Sequence, residues 1–169
     1  MRLLELSLTQ FRRHRSLTLQ MTAPCVLFLG SNGSGKTNLL EAMTMLSLGK
    51  SGLGIEDEML RSWETDFYRV QAIVASDSGE EKRLEVVSQV APRVQKASFI
   101  NDVRVPLSQF VGSLPTVTFL PRDLDLFTGA PAERRRFLDQ LLCQVSPPYL
   151  QALSQFQQRI YPSPPRSIR

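Results

Sequence analysis

Eight consecutive residues carry the most distinctive chemistry in the chain. Gly30-Ser31-Asn32-Gly33-Ser34-Gly35-Lys36-Thr37 fit the phosphate-loop spacing G-x-x-x-x-G-K-[ST] at every position. Glycines allow φ > 0 and leave no Cβ in the way, so successive N–H groups can curl toward one centre. A helix beginning near Lys36 adds unsatisfied N–H groups and the positive end of its dipole. Lys36 then serves as a point charge for the β- and γ-phosphates, and the Thr37 hydroxyl suits a Mg²⁺ ion bridging them. The chemistry encoded is capture of a magnesium-bound nucleoside triphosphate. The bland alternative is a Gly/Ser-rich strand-to-helix turn that happens to hold a lysine, and it must meet every fixed position by chance. The loop alone does not separate ATP from GTP.

The remaining candidates are sparser. "FRRHR" sets Arg12, Arg13 and Arg15 in a basic turn, and His14 within it is the only histidine, so neither a zinc site nor a His-based triad can be assembled. We read His14 as a surface residue. Arg134, Arg135 and Arg136 fall in the first turn of an expected helix, where positive charge opposes the dipole. Glu133 is adjacent and Asp139 lies one turn on, so internal pairing and a structural or subunit-interface role outweigh direct contact with an external polyanion. Trp63, Phe67 and Tyr68 read as core side chains, not as a base-stacking platform. Cys25 and Cys143 both sit in apolar runs and read as two buried free thiols in a reducing, cytoplasmic compartment.

The elements that must position the loop follow from periodicity. Leu4, Leu6 and Leu8, then Leu17, Leu19 and Met21, alternate with polar neighbours on either side of "FRRHR", which predicts two half-buried strands. "CVLFL", residues 25–29, does not alternate and predicts a central parallel strand buried on both faces. A helix is expected from Thr37 to Leu48, with Glu41, Thr44 and Ser47 as a narrow polar stripe and Gly49 as its stop. "FYRVQAIVASDSGEEKRLEVVSQV" predicts two strands joined at Asp77-Ser78-Gly79, and "ASFINDVRV" a tight pair around Asn101-Asp102. "TVTFL", residues 116–120, predicts one more strand. Helices are expected from Pro131 to about Val145 and from Pro148 to about Tyr161. The expected class is α/β with an antiparallel β portion attached.

Composition bounds these readings. The chain has 169 residues, 42% of them hydrophobic and 21% charged, which is ordinary for one globular domain. No apolar run approaches the ~18 residues of a membrane span. Net charge is +4, and 16 of the 20 basic residues are arginine, a mild lean toward a polyanionic partner.

Two longer stretches carry a family resemblance. "LLELSLTQFRRHRSLTLQM" followed by "LFLGSNGSGKTNLLEAMTMLSLGKS" resembles the start of an SMC-like, ABC-type ATPase head, and among those heads the RecF family of DNA replication and repair proteins. "FLPRDLDLFTGAPAERRRFLDQLLCQVSPPYLQALSQFQQ" is similar to that family's proline-aspartate, glycine-x-proline and double-arginine segment. The likeness covers Leu3 to Arg159. It implies a phosphate-loop NTPase of ABC/SMC-head type, incomplete here: a partial head over 1–161 and a proline-rich tail, 162–169, foreign to the family. It implies ATP and Mg²⁺ as cofactors and binding of single-stranded and duplex or gapped DNA. It further implies ATP-dependent homodimerisation, RecO/RecR-type mediators, RecA loading and a link to the SOS response, with no membrane partner. An arginine of the first turn approaches the nucleotide in such heads, so Arg12 or Arg13 is a candidate there. Asp123 corresponds to the region sensing Mg²⁺ and the γ-phosphate, with Asp125 nearby, although Arg122 stands where relatives carry an acid. No apolar run ending in Asp-Glu and no Leu-Ser-Gly-Gly-Gln-like segment occurs in the chain. ATP binding without appreciable hydrolysis is therefore expected. A phosphate-loop kinase or other small-molecule phosphotransferase is the alternative of a different class.

Overall fold

The alternating segments assemble into one six-stranded sheet in a computed structural model that describes residues 1–89 and 95–160. The strands are β1 (Arg2–Phe11), β2 (His14–Gln20), β3 (Phe67–Ala75), β4 (Glu81–Gln89), β5 (Gln95–Ile100) and β6 (Val103–Val105), ordered β2-β1-β3-β4-β5-β6. Every neighbouring pair is antiparallel. Turn chemistry fixes the register. Asn101 and Asp102 both take positive φ, 50° and 64°, as a two-residue type I′ hairpin turn requires. The β3–β4 turn closes through Gly79 N–H on the Ser76 carbonyl at 3.0 Å.

One face of the sheet buries Leu6, Leu8, Val70, Val74, Leu84 and Val86, and these join Leu39, Ala42, Met45 and Leu46 of helix α1 (Lys36–Leu48) in a single core. Gly49 caps α1 in the left-handed region at φ 66°, as expected of a helix stop, and its N–H reaches the Met45 carbonyl at 2.8 Å. Among the described residues four further α-helices follow: α2 (Leu107–Phe110), α3 (Asp125–Thr128), α4 (Pro131–Val145) and α5 (Pro147–Ile160). The tail expected at 162–169 lies outside the described residues.

The structure corrects several expectations. The narrow polar stripe of Glu41, Thr44 and Ser47 is buried, because α1 is covered by the sheet on one side and by α4 on the other. Each is satisfied: Thr44 donates to the Leu40 carbonyl at 2.9 Å and Ser47 to Gln144 Oε1 at 2.7 Å, while Glu41 accepts from Arg12 and Ser51. Residues 25–29 and 116–120 are not strands. Leu27 and Leu29 are 77% and 82% exposed, and Val26, Val117 and Phe119 are exposed as well. A buried parallel strand needs neighbours on both edges and cover on both faces, and no described strand pairs with either segment. Cys25 is exposed for the same reason, whereas Cys143 is buried as expected and burial raises its thiol pKa.

The aromatic group at 63–68 divides. Tyr68 is fully buried, with its ring edge-on to Phe11 at 5.5 Å and its hydroxyl donating to Asp57 Oδ1 at 2.6 Å. Phe67 is exposed and Trp63 is 89% exposed, so neither belongs to the core. Tyr68 ends up inside and Phe67 outside because β3 alternates faces.

Candidate nucleotide-binding site

The loop from Gly30 to Gly35 leads directly into α1, whose first residue is Lys36. Gly33 and Gly35 sit at φ 80° and 100°, where an L side chain is strained. A Cβ on Gly35 would also lie 2.5 Å from His14 Nε2, so a side chain there would have to displace the His14 ring. Ser34 N–H turns inward to the Ser31 carbonyl at 3.2 Å. The amides of Asn32, Gly33, Gly35, Lys36 and Thr37 donate to no described residue. Lys36 Nζ spans the loop, donating to the carbonyls of Gly30 and Ser31 at 2.7 and 2.8 Å. The result is a cradle of free N–H donors at a helix N-terminus with an ammonium at its rim, a geometry suited to a polyphosphate. The Thr37 hydroxyl has no partner among the described residues, which leaves both its lone pairs for a cation.

Arg13 of the β1–β2 turn and His14 at the start of β2 rest on this loop. The Arg13 guanidinium donates to the Gly33 carbonyl, and His14 Nε2 lies 3.4 Å from the Gly35 carbonyl oxygen. His14 is thus half-buried against the loop, not a free surface residue. Arg12 is directed elsewhere. Its Nε and Nη2 reach the Glu41 carboxylate at 2.9 and 3.3 Å, and Nη1 donates to the Met59 carbonyl at 3.1 Å. The Glu41 side chain is only 1% exposed, and Ser51 supplies a third donor to it at 2.7 Å. Arg12 therefore anchors the turn to α1, while Arg13 faces the loop. Sequence reasoning missed Glu41; the signal was a carboxylate within an otherwise buried helix.

Thr37 and Asp123 line one cavity of about 440 Å³ between α1, the 116–130 segment and α4. One Asp123 oxygen, Oδ2, accepts from Leu120 N–H at 2.6 Å and so closes its own turn. The Asp125 side chain lies outside the described ones. The arginine triplet is held differently from the expected pairing. Arg134 donates to the Gly129 carbonyl at 3.0 Å and Arg136 to the Gly52 carbonyl at 3.3 Å. Asp139, the expected partner, instead accepts from the Tyr149 hydroxyl at 2.6 Å, which raises the Tyr149 pKa.

A strand-rich sheet backed by one helix, with a glycine loop at that helix's start, defines a phosphate-loop nucleotide-binding head. The AAA domain family model matches residues 5–106, and the chain belongs to that family. Within it, the chain aligns with the N-terminal part of RecF. It is 38% identical over 152 residues to the DNA replication and repair protein RecF of Bacillus subtilis (strain 168), covering 90% of this chain and 40% of that protein. It is likewise 38% identical over 157 residues to RecF of Chlorobium phaeobacteroides (strain BS1), covering 92% and 43%. Two solved structures of the recombination mediator protein RecF in the RecFOR pathway share the fold. The RecF-ATPrS form has a TM-score of 0.87 at 28% identity, covering 93% of this chain and 42% of that one. The RecF-ATP form has a TM-score of 0.86 at 28% identity, covering 92% and 42%. The chain therefore spans about two-fifths of the length of the relatives it matches. No described helix is long and apolar enough to cross a membrane.

Proposed function

We propose that this chain is the ATP-binding portion of a RecF-like protein of DNA replication and recombinational repair. Its loop, Gly30 to Thr37, holds the phosphates of ATP. Thr37 holds Mg²⁺ there, and Asp123 stands across the same cavity. Bound to the ATP form, the protein engages single-stranded and duplex or gapped DNA in the cytoplasm and dimerises. It acts with RecO/RecR-type mediators to support RecA loading and the SOS response.

The observation that carries this reading is the cradle of unengaged amides beside an unpartnered Thr37 hydroxyl, in a fold shared with a protein solved with ATP. A magnesium ion held at the Thr37 hydroxyl would supply charge neutralisation for the bound phosphates. The chain's own groups bind and orient: amides on the phosphate oxygens, Lys36 on the outer phosphates, and Arg13 bracing the loop from outside.

The test is a labelled gapped duplex followed by fluorescence anisotropy. Affinity is expected to rise on adding Mg-ATP and to fall steeply between about 50 and 200 mM salt. Steady phosphate release is expected to stay at background. Salt-insensitive behaviour with no DNA binding, together with ATP consumption that depends on a small acceptor, would instead mark a phosphotransferase.

A further inference from the structure

His14, the chain's only histidine, stands against the backbone where the phosphate loop becomes α1. Its Nε2 lies 3.4 Å from the Gly35 carbonyl oxygen, and the ring covers the bare α-carbon of Gly35. Phosphate capture by the loop amides makes no use of this ring. A carbonyl only accepts, so the contact is a hydrogen bond only while Nε2 carries a hydrogen. One neutral tautomer and the imidazolium both meet that condition, and the imidazolium makes the stronger, charge-assisted bond.

Three observations make the protonation of this ring matter. First, histidine is the side-chain type that ordinarily changes charge between about pH 5 and 8. Second, the elements packed around it carry positive charge. The β1–β2 turn supplies Arg13, whose guanidinium is on the Gly33 carbonyl, and β2 supplies Arg15, which has no partner among the described residues. From α1 comes Lys36, with no acid in the first turn. Phe11, the strand partner of His14, bridges to Arg61 on its other side. The carboxylates of these elements are committed elsewhere: Glu41 to Arg12 and Ser51, and Glu5, toward the other end of β1, to Ser7 and Gln20. Third, the ring is half-buried and touches the residue next to Lys36, so it feels the charge held in the loop. Protonating His14 over an empty loop adds charge to a site already positive, and a bound polyphosphate reverses that field.

We propose that His14 is a proton-linked clasp on the phosphate loop: polyphosphate binding and protonation of the ring favour each other, so capture takes up a proton and tightens as pH falls through the neutral range. The clasp acts from behind, through Nε2–H on the Gly35 carbonyl, and needs no contact with the ligand. By linkage, the proton strengthens capture by the same factor as capture strengthens proton binding. The inference rests on the proposed ATP binding at the loop and adds its regulation.

A single histidine gives a single imidazole Cε1–H resonance, so the ring can be followed in the unaltered protein. At neutral pH, saturating Mg-ATP is expected to move that resonance toward the imidazolium position. Calorimetry in buffers of different ionisation enthalpy is expected to show more proton uptake by wild type than by His14→Gln, which keeps an N–H donor but does not titrate. The ligand's own protons are the same for both proteins and cancel in the difference. Between about pH 8 and about pH 6, Mg-ATP affinity is expected to rise about fivefold more in wild type than in the variant. Equal proton uptake and equal pH dependence in the two proteins, with Mg-ATP bound by both, would overturn the clasp and leave the loop reading intact. A resonance that stays at the neutral position in saturated wild type would do the same, whether or not His14→Gln folds. Absence of Mg-ATP binding by wild type at any pH would remove the loop reading and the clasp together.

Discussion

The sheet and the two apolar segments at 25–29 and 116–120 are built from similar residues yet end in opposite places. Leu6, Val70, Val74 and Leu84 are buried; Leu27, Leu29, Val117 and Phe119 are exposed. What separates them is where the backbone partners come from. In the sheet, most strands pair with the next strand along the chain, three of those pairs through a short turn, so hydrogen bonds and cover are supplied locally. The two apolar segments have no such neighbour. An apolar run states that burial is favourable, but a strand exists only where another strand satisfies its N–H and C=O groups.

That contrast can be broken most directly by mutating each side of it. Leu84→Ala should cost about 2–5 kcal/mol of unfolding free energy in urea melts, as a buried leucine truncation does, whereas Leu29→Ser should stay within about 0.5 kcal/mol. Comparable losses at the two sites would show that residues 25–29 are packed in solution after all. Arg12→Ala should come next, at about 3 kcal/mol, because it strands the buried Glu41 carboxylate; Arg15→Ala, nearby in β2 but unpaired, should change the melting temperature little.

A smaller effect should appear with alkali. Burial, and then the hydrogen bond to Asp57, push the Tyr68 hydroxyl well above its ordinary value near 10. The unfolded chain would release that proton near pH 10 while the folded chain keeps it, so this stabilisation is complete below pH 10 and is lost as pH rises beyond it. Tyr68→Phe should flatten that limb of the stability profile. At the bottom of the scale stands Asp77. Its carboxyl is lowered by a hydrogen bond from the N-terminal amine at 2.6 Å, but it is fully exposed, and Asp77→Asn should leave the melting temperature unchanged within error.

Much of the architecture was legible where the determinants are local. The two hairpin turns, the Gly49 stop and the span Pro131–Val145 follow from turn chemistry and periodicity within a few residues. The turn at Gly33 and Gly35 leading into α1 was legible because its glycine spacing is itself the backbone geometry. What escaped depends on tertiary neighbours. The burial of Glu41, Thr44 and Ser47 reflects α4 packing across α1, over eighty residues away in sequence. The exposure of Trp63 is equally non-local, since its surroundings are set by the Arg12–Leu60 and Ser62–Gln10 backbone bonds. The division of labour between Arg12 and Arg13 turned on which one found a buried carboxylate.

The decisive measurement is a thermal melt of the folded protein with and without Mg-ATP, run beside Lys36→Ala. Wild type should gain about 2.7 kcal/mol, or several degrees, at a nucleotide concentration 100 times Kd, and Lys36→Ala should gain far less at the same concentration. An unchanged melting point for wild type in millimolar Mg-ATP, or an equal gain in the lysine variant, would contradict phosphate capture by the Gly30–Thr37 loop.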